Sequence, residues 1–167
     1  LIQNGTSVGK LTSGTRLAAE LPHSFLFDLT YLPGTLEAVS YKDGKEISRD
    51  TLVTTGPAKE LRLIQEKKEL SANGHEVAYV RVEIVDENGI VVPDAALRLS
   101  AAVEGVGSLA AFGSSNPITD ENYTSGTFTS YHGTATAIIR SGYQTGMCTL
   151  TVGCEELDEK KIALTIK

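Results

Sequence analysis

The sequence predicts an all-β protein made of two antiparallel β-sandwiches, the first incomplete at its N-terminus. Apolar and polar residues alternate along most segments, which is the two-residue period of a half-buried strand. Short turn sequences rich in Gly, Asn and Asp separate these segments at close intervals. With 167 residues, the chain is long enough for one large sandwich or two small ones.

The first third of the chain is expected to form about four short strands. Asn4-Gly5 predicts a tight type I′ hairpin, because both central residues of that turn need a positive φ angle. The later strands are expected around Phe25, Phe27 and Leu29, over 35–41, and over 46–55 after a hairpin at 42–45.

The sequence Thr55-Gly56-Pro57-Ala58 interrupts the strand pattern. We therefore predict a partial β-sandwich over 1–57 and a second sandwich over 58–167. Four strands over so short a stretch form a thin sandwich, which is marginal unless something covers its apolar face.

The second sandwich shows the clearest alternation. Between residues 78 and 84, every even position is apolar, and Arg81 and Glu83 alternate with these positions. Asp86-Glu87-Asn88-Gly89 then predicts a turn. Repetition of this pattern predicts a core that contains Val80, Val82, Ile84, Leu97, Leu99, Ile139, Leu150, Ile162, Leu164 and Ile166.

Composition excludes several classes of function. The net charge of −6 argues against a sequence-independent nucleic-acid binder, which needs clustered Lys and Arg to neutralise phosphates. No apolar run approaches the roughly 20 residues of a membrane-spanning helix. Cys148 and Cys154 would lie about 20 Å apart in one strand, too far for a disulfide, so we expect free thiols that fill apolar space.

The other polar motifs favour structural roles. Asp86-Glu87-Asn88-Gly89 could wrap a cation but lacks the distal bidentate Glu of a calcium loop, so a hairpin turn is favoured, as at Asp120-Glu121-Asn122. His23, His75 and His132 have no partner at metal-ligand or Ser/His/Asp spacing. We expect no cofactor and no metal.

The segment from Gly105 to Gly142 carries a family resemblance. A small-residue strand ends in Phe112-Gly113, a turn at Ser114-Ser115-Asn116-Pro117 leads into a polar loop, and an Ala/Ile strand follows Gly133. This order resembles the C-terminal immunoglobulin-like domain of bacterial beta-galactosidases of glycoside hydrolase family 2. Residues 1–10 and 33–45 are similar to the sandwich domain that follows the catalytic barrel in that family.

The resemblance implies a parent enzyme that hydrolyses beta-galactosides with retention, through two glutamates at the ends of barrel strands. Neither glutamate maps onto this chain, so the fragment itself is expected to be non-catalytic, with a structural or substrate-entrance role. Its expected partners are the barrel and the other domains of the same parent, in the periplasm or outside a bacterial cell. The chain starts at Leu1 without a targeting peptide and is expected to be a fragment.

The loop over 113–131 is the candidate functional surface, because it is too long for a hairpin turn. Asn116, Asp120, Asn122 and Tyr123 could contact either a sugar or a neighbouring domain, and the neighbouring domain is favoured. Two alternatives stay open. The chain could be a carbohydrate-binding module, although it has no Trp, or an invasin-like surface adhesin module, which the segment 70–93 also resembles.

Overall fold

The computed structural model describes residues 1–12 and 24–167. Within them, every regular element is a β-strand, and the strands form three sheets. No helix in the described part of the chain is long and apolar enough to cross a membrane. The chain divides into two compact units, Leu1–Thr54 and Thr55–Lys167. Independent folding of the two sequence-predicted domains stays a prediction.

The first unit is one antiparallel sheet with the order β2-β1-β3-β4. Two tight hairpins shape it, at Asn4-Gly5 and Asp43-Gly44, and all four of these residues have the positive φ angle that type I′ turns need. Its strands are β1 (Ile2–Gln3), β2 (Thr6–Ser7), β3 (Thr35–Lys42) and β4 (Lys45–Val53).

The predicted strand around Phe25, Phe27 and Leu29 is wrong, because residues 24–32 are irregular. Side chains of β1 and of its hairpin bind the end of this stretch and the residue after it. Gln3 Nε2 donates to the Thr30 carbonyl (3.0 Å), and Asn4 Nδ2 donates to the Pro33 carbonyl (3.0 Å). His23 lies outside the described residues.

The described residues of the first unit include no buried side chain. Several large apolar side chains are instead open to solvent, which is unusual for a stable sheet because such surface normally finds cover. The exposed set comprises Val8, Phe25, Leu26, Leu29, Tyr31, Leu32, Tyr41, Ile47, Leu52 and Val53.

The second unit is a sandwich of two sheets, with orders β5-β7-β11-β9 and β10-β8-β12-β13-β6. Every pairing is antiparallel except that of β13 with β6, which is parallel. The strands are β5 (Glu60–Gln65), β6 (Glu69–Leu70), β7 (Val77–Val85), β8 (Arg98–Gly105), β9 (Gly107–Gly113), β10 (Thr127–Thr129), β11 (Thr134–Ser141), β12 (Gly146–Gly153) and β13 (Lys160–Ile166).

The core lies between these two sheets, as the alternation predicts. Leu97 and Ile162 are only half-buried. Leu97 precedes β8. Ile162 pairs with Leu150 of β12 but has no strand on its other side, because β6 pairs only with Thr165 and Ile166. The other predicted core residues are buried: Val80, Val82, Ile84, Leu99, Ile139, Leu150, Leu164 and Ile166.

The two cysteines are free thiols, as predicted. Cys148 is fully buried in the core, and Cys154 is half-buried just after β12. Burial raises the pKa of both thiols, because a low-dielectric environment disfavours the thiolate. They act as small apolar fillers.

Asp86 fixes the first residues of the second unit. It is buried at the predicted turn after β7, and Oδ2 of its carboxylate accepts a hydrogen bond from Gly56 N–H (2.9 Å). Oδ1 accepts from Asn88 N–H and Ile90 N–H (both 2.9 Å). These amides, Gly56 first, hold the pKa of Asp86 below its usual range. A carboxylate used in this way serves the turn rather than a cation.

Replacing Asp86 with Asn should loosen the segment 55–58. The Asn amide nitrogen cannot accept a hydrogen bond from Gly56, so we expect thermal unfolding several degrees lower at pH 7 and faster cleavage of 55–58 in limited proteolysis. A depressed folded pKa contributes stability above the ordinary aspartate pKa of about 3.9, and that contribution is lost as pH falls through the folded pKa. The difference between the two proteins should therefore shrink near pH 3. An unchanged unfolding temperature and cleavage rate at pH 7 would contradict this role.

Candidate functional site

The candidate loop is shorter than predicted. β10 lies inside the predicted 113–131 stretch and pairs with β8, with Phe128 opposite Leu99. Residues 114–126 therefore connect β9, at the edge of one sheet, to β10, at the edge of the other. The loop crosses between the two layers of the sandwich and closes one side of it.

Tyr123 is part of this closure. Its ring lies 4.7 Å from the ring of Phe128, measured between centroids, and Phe128 is fully buried. The Tyr123 carbonyl accepts a hydrogen bond from Phe112 N–H on β9 (2.7 Å). A Cβ at Gly113 would lie 2.2 Å from Tyr123 Cδ1, so the Phe-Gly of the sequence signature leaves room for this ring. Tyr123 nevertheless remains 45% exposed.

The two candidate asparagines stabilise turns within the loop. Asn116 Oδ1 accepts from Ile118 N–H (3.0 Å), and Asn122 Oδ1 accepts from both N–H and Oγ1 of Thr124 (2.9 Å each). These are local Asx turns, in which a side chain replaces a backbone acceptor. No hydrogen bond joins Asn116, Asp120 and Asn122 to one another, and Asp120 is exposed.

Glu121, which the sequence analysis did not select as a site residue, anchors the loop. Its carboxylate accepts from Thr129 N–H (3.1 and 3.2 Å) and Thr129 Oγ1 (3.1 Å), and it forms an ion pair with Arg98. Arg98 Nη2 also donates to Thr127 Oγ1 (2.9 Å). The sequence around Glu121 does not indicate this anchoring role, because its partners lie on β8 and β10.

The surface left by these contacts is small and polar, with one protruding apolar side chain. Ile118 is 87% exposed beside Pro117. The exposed side chains of Tyr123 and Asp120 also lie on this surface and can meet a partner. Such a surface suits contact with another macromolecule but has no chemistry of its own.

Three glutamates elsewhere are held ionised by cations or donated hydrogen bonds. Arg49 pairs with both Glu37 (2.6 Å) and Glu46 (3.0 Å), and the hydrogen bond from Arg49 lowers the pKa of Glu46. Lys160 lowers the pKa of Glu60, and Lys67 together with Ser71 lowers the pKa of Glu76 to about 2. These pKa shifts are opposite to those a general acid needs.

A cleft of about 560 Å³ lies beside the segment 55–58 in the second unit. It is bounded on the other side by Val92 and residues 94–97, and its one ionisable lining residue is Asp94. Within residues 1–12 and 24–167, no group of three or more His, Cys, Asp or Glu is placed to hold a metal ion. His75 and His132 lie in loops.

The sandwich of the second unit matches a known domain family. Residues 61–163, more than half of the chain, match the glycoside hydrolase family 2 C-terminal domain 5. The chain belongs to this family. A second match, over residues 1–48, is to a family described only as a domain of unknown function. The resemblance drawn from the sequence is thereby confirmed.

Relatives of this family 2 chain are much longer proteins. A beta-galactosidase of Bacteroides ovatus is 27% identical over 133 residues, which are 80% of this chain and 16% of the relative. A beta-galactosidase of Thermoanaerobacter pseudethanolicus is 37% identical over 87 residues, 52% of this chain and 11% of the relative. The crystal structure of a family 2 glycosyl hydrolase from Bacteroides cellulosilyticus aligns with a TM-score of 0.93 at 28% identity, over 99% of this chain and 21% of its own.

Proposed function

We propose that the chain is a non-catalytic part of a beta-galactosidase-like hydrolase and that it supports the other domains of that enzyme. The observation that supports a non-catalytic role is the ionised state of three glutamates among the described residues. Retaining hydrolysis needs two carboxyl groups about 5 to 5.5 Å apart, one of them kept protonated by its surroundings. Here Glu46, Glu60 and Glu76 are each kept ionised by a cation or by donated hydrogen bonds.

We expect the 167-residue chain to show no hydrolysis of nitrophenyl beta-galactoside above buffer. The physical reason is the absence, in the described cleft, of a second carboxyl group beside Asp94. A matched assay on the longer parent enzyme is the positive control. Turnover by the chain that vanishes when one of its own carboxyl groups is changed would refute the proposal.

The support is proposed to act through the loop surface formed by Asn116, Asp120, Asn122 and Tyr123, with Ile118 at its tip. Anchoring by Glu121 holds this surface in one shape, so little conformational entropy is lost when a neighbour docks. An isoleucine that is 87% exposed gains most from such contact. The apolar surface of the first unit is a further area that other domains of the parent would cover.

Changing Ile118 to Asp separates docking from folding. Ile118 is almost fully exposed in this chain, so the variant should leave the stability of the 167-residue protein unchanged within about 0.5 kcal/mol. In the full-length parent, the same substitution should lower the free energy of unfolding by about 1.5 to 3 kcal/mol, the value of burying such a side chain. Calorimetry of both proteins measures the difference.

Tyr123→Ala is the matched control, because Tyr123 packs on Phe128 and its loss should destabilise both the short and the long protein. If Ile118→Asp leaves the full-length parent as stable as the wild type, the loop is not a docking surface. A loss of galactoside affinity with stability intact would favour the carbohydrate-binding alternative at this loop.

A further inference from the structure

A second exposed aromatic side chain lies away from the candidate loop. Tyr143 is in the turn 142–146 between β11 and β12, and its ring covers Gly74 in the loop 71–76. A Cβ at Gly74 would lie 2.4 Å from Tyr143 Cζ and 2.8 Å from both Cε1 and Cε2. These three distances together place the glycine against one face of the ring, above Cζ at its hydroxyl end.

The loop beneath the ring is held firmly. Asn73 Oδ1 accepts hydrogen bonds from His75 N–H and Glu76 N–H (2.9 Å each), and Gly74 N–H donates to the Gly142 carbonyl (3.2 Å). The Glu76 carboxylate accepts from Ser71 N–H (2.7 Å), which closes the base of the loop. The ring is therefore backed by ordered backbone.

The opposite face of the ring is open, since Tyr143 is 77% exposed. Exposed polar side chains flank it in sequence: Gln144 follows the tyrosine, and His75 follows the supporting glycine. Within the loop 71–76 and the turn 142–146, Tyr143 is the one exposed large apolar side chain. A single tyrosine ring offers far less area than the 600 Å² or more of a typical domain interface.

We propose that Tyr143 is a sugar-binding platform that stacks against the pyranose ring of a beta-galactoside. One face of a pyranose presents C–H groups, which pack on a flat aromatic ring, while its hydroxyl groups need polar partners such as His75 and Gln144. A ring already fixed on Gly74 loses little freedom on binding. The assignment rests on the proposed family 2 role, because that role makes beta-galactosides the available ligand.

The test is a titration of the 167-residue chain with lactose and with galactose, followed by amide chemical shifts in NMR. We expect weak binding, in the millimolar range, with the largest shifts at Gly74, Gly142 and Gln144. Tyr143→Ala should weaken binding by about tenfold or more, whereas Tyr143→Phe, which keeps the ring, should stay within about threefold. Tyr79→Ala removes another exposed tyrosine, on the outer face of β7, and should leave binding unchanged.

Gly74→Ala gives a second test, in which Tyr143 is retained but its ring must move away from the new Cβ. We expect it to weaken binding as Tyr143→Ala does, with the amide spectrum of the core strands unchanged. The absence of shifts at Gly74, Gly142 and Gln144, or equal binding by wild type and Tyr143→Ala, would overturn the site. So would destabilisation of the full-length parent by Tyr143→Ala without any sugar binding, because the ring would then serve a domain contact. The hydrolysis and Ile118 experiments test the accessory role separately.

Discussion

The second unit depends on the packing of two sheets through a single apolar core. Strands place alternate side chains between the layers, so Val80, Leu150 and Leu164 are buried while the residues on either side of each are half-buried or exposed. This arrangement leaves the strand edges as weak points, because β9 and β10 end their respective sheets on one side. The contacts that cover these two edges determine which groups of the neighbouring loop remain available to bind a partner.

The loop 114–126 covers it by two different interactions. Tyr123 packs on Phe128, and its carbonyl accepts a hydrogen bond from Phe112 N–H. Glu121 accepts hydrogen bonds from Thr129 of β10 and forms an ion pair with Arg98. The Oδ1 atoms of Asn116 and Asn122 act as acceptors within the loop, where they hold its turns in place. A loop used in this way favours a docking surface of fixed shape over an adaptable binding site. Tyr143 takes no part in covering this edge, and its open face is the site that we propose for a sugar.

The sequence was a sound guide wherever side-chain period and local turn chemistry decide the structure. Alternation identified the core residues of β7, β12 and β13, and Asn-Gly identified the first hairpin from φ preference alone. It failed at Phe25 and Phe27, where alternation is present but residues 24–32 are irregular. The roles of Asp86 and Glu121 depend on contacts between residues far apart in the chain, for which one sequence has no signal.

A docking surface of fixed shape therefore requires the loop to be an integral part of the sandwich edge. Hydrogen exchange in the 167-residue chain measures this directly, because Phe112 N–H bonds to Tyr123 and Thr129 N–H bonds to Glu121. If the loop closes the edge, the exchange rates of both amides should lie within about tenfold of those of the β11 amides. Exchange of Phe112 and Thr129 as fast as that of an unprotected amide, with β11 still protected, would show an open edge and contradict the account.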